Sequence, residues 1–185
     1  LEGYEYDGAY FGATVGRCCG RIRNGKFTLN NKDYQLTTND NHNHLHGGIK
    51  SFSRRIWDAM VRGDNVIFSL KVEDNDEGYP GNMTVEAKFS FDDDNVLTVE
   101  YSAVSDKDTL CSITNHSYFN LNGHTNGSIN NHSLKFNANS FIPVDETLIP
   151  TGEIRKVENT AFDFRNFRKI SDGLAQGHEQ IDIAK

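Results

Sequence analysis

Met83-Thr84-Val85-Glu86-Ala87-Lys88-Phe89-Ser90-Phe91 alternates apolar and polar side chains without a break. A period of two sends every second residue to the same side of an extended backbone, so this stretch predicts a strand with one apolar face. Upstream, Val66-Ile67-Phe68-Ser69-Leu70-Lys71-Val72 is β-rich and partly alternating. Downstream, Val96-Leu97-Thr98-Val99-Glu100-Tyr101-Ser102-Ala103-Val104 alternates again. The connectors Glu77-Gly78-Tyr79-Pro80-Gly81-Asn82 and Asp92-Asp93-Asp94-Asn95 are built of turn residues. Short strands joined by polar turns predict an all-β fold, a twisted antiparallel β-sandwich. The 16 glycines and three prolines suit turns and bulges without breaking strands. Only residues 168–176 suggest a helix, of one or two turns, and total helix is expected below roughly 15%. The Asn-rich stretch 120–139 reads as hairpin and loop surface, and the acidic run Glu73–Glu77 as solvated loop. With no repeat, linker or low-complexity tract, residues 1–185 read as a single domain.

The composition narrows the partners. A net charge of -7 argues against nucleic acid and against anionic membrane surfaces, and suits a neutral small ligand. No apolar run is long enough to span a bilayer. Leu1-Glu2-Gly3-Tyr4-Glu5 has no basic region followed by an apolar one, so no signal peptide is read there, and the chain does not begin with Met. Cys18, Cys19 and Cys111 are too few and too unevenly spaced for a disulfide framework; they read as small apolar filler in a reducing, cytoplasmic setting.

Three stretches carry side chains with chemistry. In His42-Asn43-His44-Leu45-His46-Gly47-Gly48 the period of two puts His42, His44 and His46 on one face. A straight strand spaces alternate residues too widely for all three to reach one ion, so no metal site is expected. The two glycines allow a close backbone approach immediately after His46. In Thr114-Asn115-His116-Ser117-Tyr118-Phe119-Asn120-Leu121 the same period sets His116, Tyr118 and Asn120 on one face, with Ser117, Phe119 and Leu121 expected in the core. A histidine titrates near neutrality and suits general acid catalysis; a neighbouring tyrosine can bond hydroxyls or stack on a pyranose. In Gly16-Arg17-Cys18-Cys19-Gly20-Arg21-Ile22 two arginines stand among small residues, and either guanidinium has the donors to hold hydroxyl oxygens. The phosphate-loop, dinucleotide and serine-elbow patterns are absent from the sequence.

These stretches resemble the aldose 1-epimerase (galactose mutarotase) family, and the resemblance runs over essentially the whole chain. It rests on Phe11-Gly12-Ala13-Thr14-Val15-Gly16-Arg17 with Gly20-Arg21-Ile22 and Gly25-Lys26-Phe27-Thr28-Leu29. Asn43-His44-Leu45-His46-Gly47-Gly48 follows, with Phe52, Arg55 and Trp57, then Glu77–Asn82 and Thr114–Leu121. Phe141-Ile142-Pro143-Val144-Asp145, Leu148-Ile149-Pro150-Thr151-Gly152 and Phe162-Asp163-Phe164-Arg165 complete the set in the family's order. The resemblance implies a large β-sandwich acting on a free hexose, with no metal or organic cofactor. It implies His116 as general acid, Arg21 and His46 as sugar-holding groups, and Ser117 and Tyr118 beside the acid. Arg21, His46, His116 and Tyr118 are therefore expected to converge on one concave face. Gly20 stands where the family usually has Asn. The family's next motif, whose Asp binds the sugar, and a later Glu serving as general base are expected beyond Lys185, so the chain reads as truncated at its C-terminus. The functions implied are a hexose mutarotase, a hexose-phosphate 1-epimerase using Arg54-Arg55, or a non-catalytic sugar-binding module of the same fold.

Overall fold

The computed structural model of the protein describes residues 8–184. It divides into two compact units, Leu1–Ser117 and Tyr118–Lys185. The architecture is all-β, with antiparallel pairing between every pair of named strands.

The first unit is organised by a four-stranded meander of Asp58–Arg62, Asn65–Val72, Met83–Phe91 and Leu97–Ser105, each strand paired with the next in sequence. The register stacks Leu70, Val85 and Ala103 across three strands, with Phe68, Ala87 and Tyr101 in the next row. The apolar face begun by the alternation at 83–91 is thus continued by both neighbours. Leu70, Val72, Met83 and Val85 bury that face against Phe52, with Trp57 and Ile113 packed beside them. The Asp92–Asn95 connector is a turn closed by the Asp92 carboxylate, which accepts from the amides of Asp94 and Val96. The strand Asp58–Arg62 carries little alternation and is exposed along its length, as an edge strand can be; its terminal Asp and Arg discourage further pairing.

Two-residue strands bring distant segments of this unit together. Thr14–Val15 pairs with Thr114–Asn115, and Arg21–Ile22 with His44–Leu45. Cys18, Leu36 and Tyr79 form a second buried cluster beneath them. The three cysteines carry free thiols, but only Cys18 is buried; Cys111 is exposed and Cys19 sits against the Ser112 hydroxyl.

The second unit has short paired strands at Ser133–Leu134 with Arg168–Lys169 and at Ser140–Phe141 with Arg155–Lys156. Its helices are Ile170–Gln176, within the 168–176 stretch whose sequence suggests one, and Glu179–Ile183. The Asn-rich stretch is mostly turn and surface, as its composition indicates.

One expectation fails here. Beyond Thr114–Asn115 the chain leaves the extended ladder, so a period of two does not govern residues 116–121. Ser117 is half-buried, while Phe119 and Leu121 are 61% and 86% exposed instead of forming core. The pairing with Thr14–Val15 covers Thr114 and Asn115, and one further bond joins the His116 amide to the Ala13 carbonyl.

Candidate active site

The pairing of Arg21 with Leu45 sets the first two elements of the site side by side. The amide of His46 donates to the Gly20 carbonyl at 3.1 Å, and the amide of Gly20 donates back to His46 Nδ1 at 3.1 Å. An Nδ1 that accepts leaves the neutral ring's proton on Nε2, so His46 offers an N–H donor from its far nitrogen. Burial is the main influence holding its pKa down, to about 4; positive charge at His116 and Arg21 adds to it and Asp40 opposes it. His46 is therefore a neutral donor at pH 7.

The chain reverses sharply after His46, which itself has φ 51°. Gly47 follows at φ 92°, and a Cβ there would collide with the Gly16 carbonyl. The close approach anticipated from the paired glycines is to protein backbone. The reversal is held from outside by Glu77, whose carboxylate accepts from the amides of Ile49 (3.1 Å) and Lys50 (2.7 Å) and from the Thr37 hydroxyl. Asp76 next to it binds Arg55 through both oxygens at 2.6 and 2.8 Å. The acidic run at 73–77 is thus not simply solvated loop: its carboxylates tie the His46–Gly48 turn and the segment after it in place. Trp57 Nε1 donates to the Phe52 carbonyl at 3.0 Å, so Phe52, Arg55 and Trp57 act as scaffold.

His116 enters from the other side. Its amide donates to the Ala13 carbonyl at 2.8 Å, just past the Thr14–Asn115 pairing. This brings its ring to 5.0 Å from that of His46, edge-on at 83°. Arg21 stands in the same group, its Nε donating to Asp40 at 2.6 Å. A neutral imidazole, a second imidazole and a guanidinium thus share one side of the unit, which is a donor-rich surface suited to hydroxyl oxygens. Ser117 lies next in the chain, with its amide bonded to Asn115 Oδ1. Tyr118 opens the second unit and is 63% exposed.

The structure separates the histidines that the period of two grouped together. His42 is exposed, whereas His44 is fully buried with Nδ1 at 2.6 Å from the Thr37 carbonyl and Nε2 at 2.6 Å from the Tyr79 hydroxyl. Only His44–Leu45 is extended, so the shared face does not exist. Among the described residues no three or more His, Cys, Asp or Glu groups cluster as metal ligands. The two arginines also part. Arg17 is buried, donating to the carbonyls of Pro80 and Gly81 at 2.8 and 3.1 Å, and burial lowers its pKa. Arg21 is the one whose charge acts on His46. Sequence reasoning missed Asp40 and Tyr10. Tyr10 packs on both site imidazoles, at 5.0 Å from His46 and 5.6 Å from His116. Neither residue belongs to a local pattern; only the pairing of distant segments reveals them.

Residues 1–184 match the family described as aldose 1-epimerase. The chain is 44% identical to galactose mutarotase of Bos taurus, over 96% of its own length and 52% of that protein. It is 40% identical to aldose 1-epimerase of Haemophilus influenzae, over 97% and 53%. Among solved structures it superposes on galactose 1-epimerase from Lactobacillus acidophilus with TM-score 0.85 and 35% identity, covering 99% of this chain and 55% of that one. A GalM/aldose epimerase homologue from C. elegans gives TM-score 0.85 at 34% identity, covering 97% and 55%. The chain spans about half the length of the curated relatives it matches.

Proposed function

The chain belongs to the aldose 1-epimerase family, and from that premise we propose that it takes part in the mutarotation of free hexoses such as glucose and galactose. The observation that carries this reading is the edge-on pair of His46 and His116 with Arg21 beside it, assembled from separate segments.

Mutarotation needs no nucleophile. One group protonates the ring oxygen while another takes the proton of the anomeric hydroxyl; the ring opens to the aldehyde, the C1–C2 bond turns, and the ring closes on the other face. In this reading His116 is the acid. A catalyst of this kind contributes roughly 10²–10⁴-fold. His46, kept neutral with its proton on Nε2, donates to a sugar oxygen without competing for the proton that His116 transfers. Arg21, aimed by Asp40, supplies a planar fork for further oxygens. Ser117 and Tyr118 flank the acid in sequence and are proposed as further sugar contacts. Nothing in this chemistry calls on a metal or an organic cofactor, and the substrate is the only partner proposed. The continuous match over 1–184 supports reading the chain as one domain of the family, and the free thiols support a cytoplasmic setting.

The hexose-phosphate reading loses support because Arg55 is already bonded to Asp76 and the Lys50 carbonyl. The test is polarimetry on fresh α-glucose and α-galactose with the full-length protein that contains this chain, as the parent, and with its His116→Asn variant. The expected result is turnover by the parent and a loss of about 10²-fold or more in the variant. Sugar binding without turnover by the parent would favour the non-catalytic module instead, and an unchanged rate in the variant would remove His116 from the acid role.

A further inference from the structure

We infer that Tyr10 is the positioning residue of the imidazole pair, an inference that rests on the proposed mutarotase reading for its functional consequence but not for its geometry. Three rings form a closed triangle. His46 and His116 are 5.0 Å apart at 83°, Tyr10 and His46 5.0 Å apart at 70°, and Tyr10 and His116 5.6 Å apart at 45°. Each separation lies in the range where aromatic rings pack in contact. Each imidazole therefore packs against two other rings, one of them Tyr10.

Tyr10 is itself held. Its carbonyl accepts from the amide of Ala13 at 3.1 Å, closing a turn, and the carbonyl of Ala13 accepts from the amide of His116 at 2.8 Å. The turn that carries the tyrosine is thus bonded to the backbone of the acid it braces. Tyr10 sits at φ 59°, which an aromatic residue seldom adopts and which here delivers the ring to both histidines. The guanidinium of Arg54 lies 6.0 Å from the Tyr10 ring centre, at the outer limit of a cation–π contact.

The consequence falls on both imidazoles. General acid catalysis requires the donor nitrogen within hydrogen-bond reach of one ring oxygen, and a displacement of about 1 Å can cost up to 10²-fold. A bracing ring acts on proton transfer through His116 and, through His46, on one hydrogen bond to the sugar, so its loss lowers kcat and raises KM together. A ring that only stacks on the sugar would instead act on affinity alone.

The experiment compares Tyr10→Phe and Tyr10→Leu with the parent, the full-length protein that contains this chain. The first readout is the NMR spectrum of the histidine ring protons without sugar. Leu carries no ring current, so the His46 and His116 signals are expected to shift and broaden in Tyr10→Leu and to stay near their parent positions in Tyr10→Phe. The buried His44 signal should stay fixed in both and so report an intact fold. The second readout is polarimetry. Tyr10→Leu is expected to lower kcat about tenfold and to raise KM as His46 shifts, and Tyr10→Phe to restore both. Unmoved His46 and His116 signals in Tyr10→Leu would overturn the inference whatever the activity. A raised KM at unchanged kcat would overturn it by making Tyr10 a substrate contact. Absence of mutarotation in the parent would refute the functional reading alone, since the ring signals would still decide whether Tyr10 sets the geometry.

Discussion

Removing one hydroxyl, in Tyr79→Phe, should destabilise the first unit. Tyr79 is 1% exposed and His44 0%, so water reaches neither partner. His44 Nδ1 faces the Thr37 carbonyl at 2.6 Å, which requires the proton on Nδ1. Nε2 is then an acceptor, and the Tyr79 hydroxyl donates to it at 2.6 Å. Phenylalanine fills nearly the same volume, so the cavity is negligible and the loss is that of the hydrogen bond and of a stranded ring nitrogen. Leaving a buried polar group unsatisfied costs about 1–3 kcal/mol. At about 2–4 °C per kcal/mol for a chain of this size, the melting temperature should fall by several degrees. Urea unfolding followed by the fluorescence of Trp57, the single tryptophan, measures it directly. A double-mutant cycle with His44→Leu should give a coupling of about 0.5 kcal/mol or more. A loss below about 0.5 kcal/mol together with zero coupling would refute the assignment of this pair as a structural anchor beneath the site.

The remaining predictions concern the site and its turn. Burial depresses the pKa of both His44 and His46, the latter to about 4, so the unfolded chain binds protons that the folded chain refuses. Stability should be full above the ordinary 6.5 and decline as pH falls from there toward 4; a urea midpoint unchanged between pH 7.5 and 5 would contradict this. Gly47→Ala places a Cβ inside the Gly16 carbonyl and should cost about 4 kcal/mol or more, read as loss of soluble folded protein. Gly20→Asn meets open space at φ 73°, a backbone region Asn tolerates, so melting should barely change while the added amide lowers KM for hexoses. Asp40→Asn should release Arg21 and raise KM about two- to tenfold, with a stability loss below about 1 kcal/mol because the pair is partly solvated; a fall in kcat at constant KM would count against Arg21 as a sugar-holding group.

Local pattern was enough for the sheet. The alternation from Met83 to Phe91 coincides with the strand, and its neighbours are displaced by a residue at most, because side-chain direction in an extended chain follows from φ and ψ alone. The ordered motifs singled out Arg21, His46 and His116 as candidates, each in a short stretch of specific residue types, and the structure brings the two histidine rings together. The same periodic rule misassigned His42, His44 and His46, and again Ser117, Phe119 and Leu121, because it assumes an extended backbone where the chain turns. Whether it turns depends on bonds from elsewhere: Glu77 to the amides after Gly48, and Ala13 to the amide of His116. Tyr10 and Asp40 became legible only with those contacts in place. Their partners come from other segments, and a spacing along the chain carries no record of which loops will be hydrogen-bonded together in space.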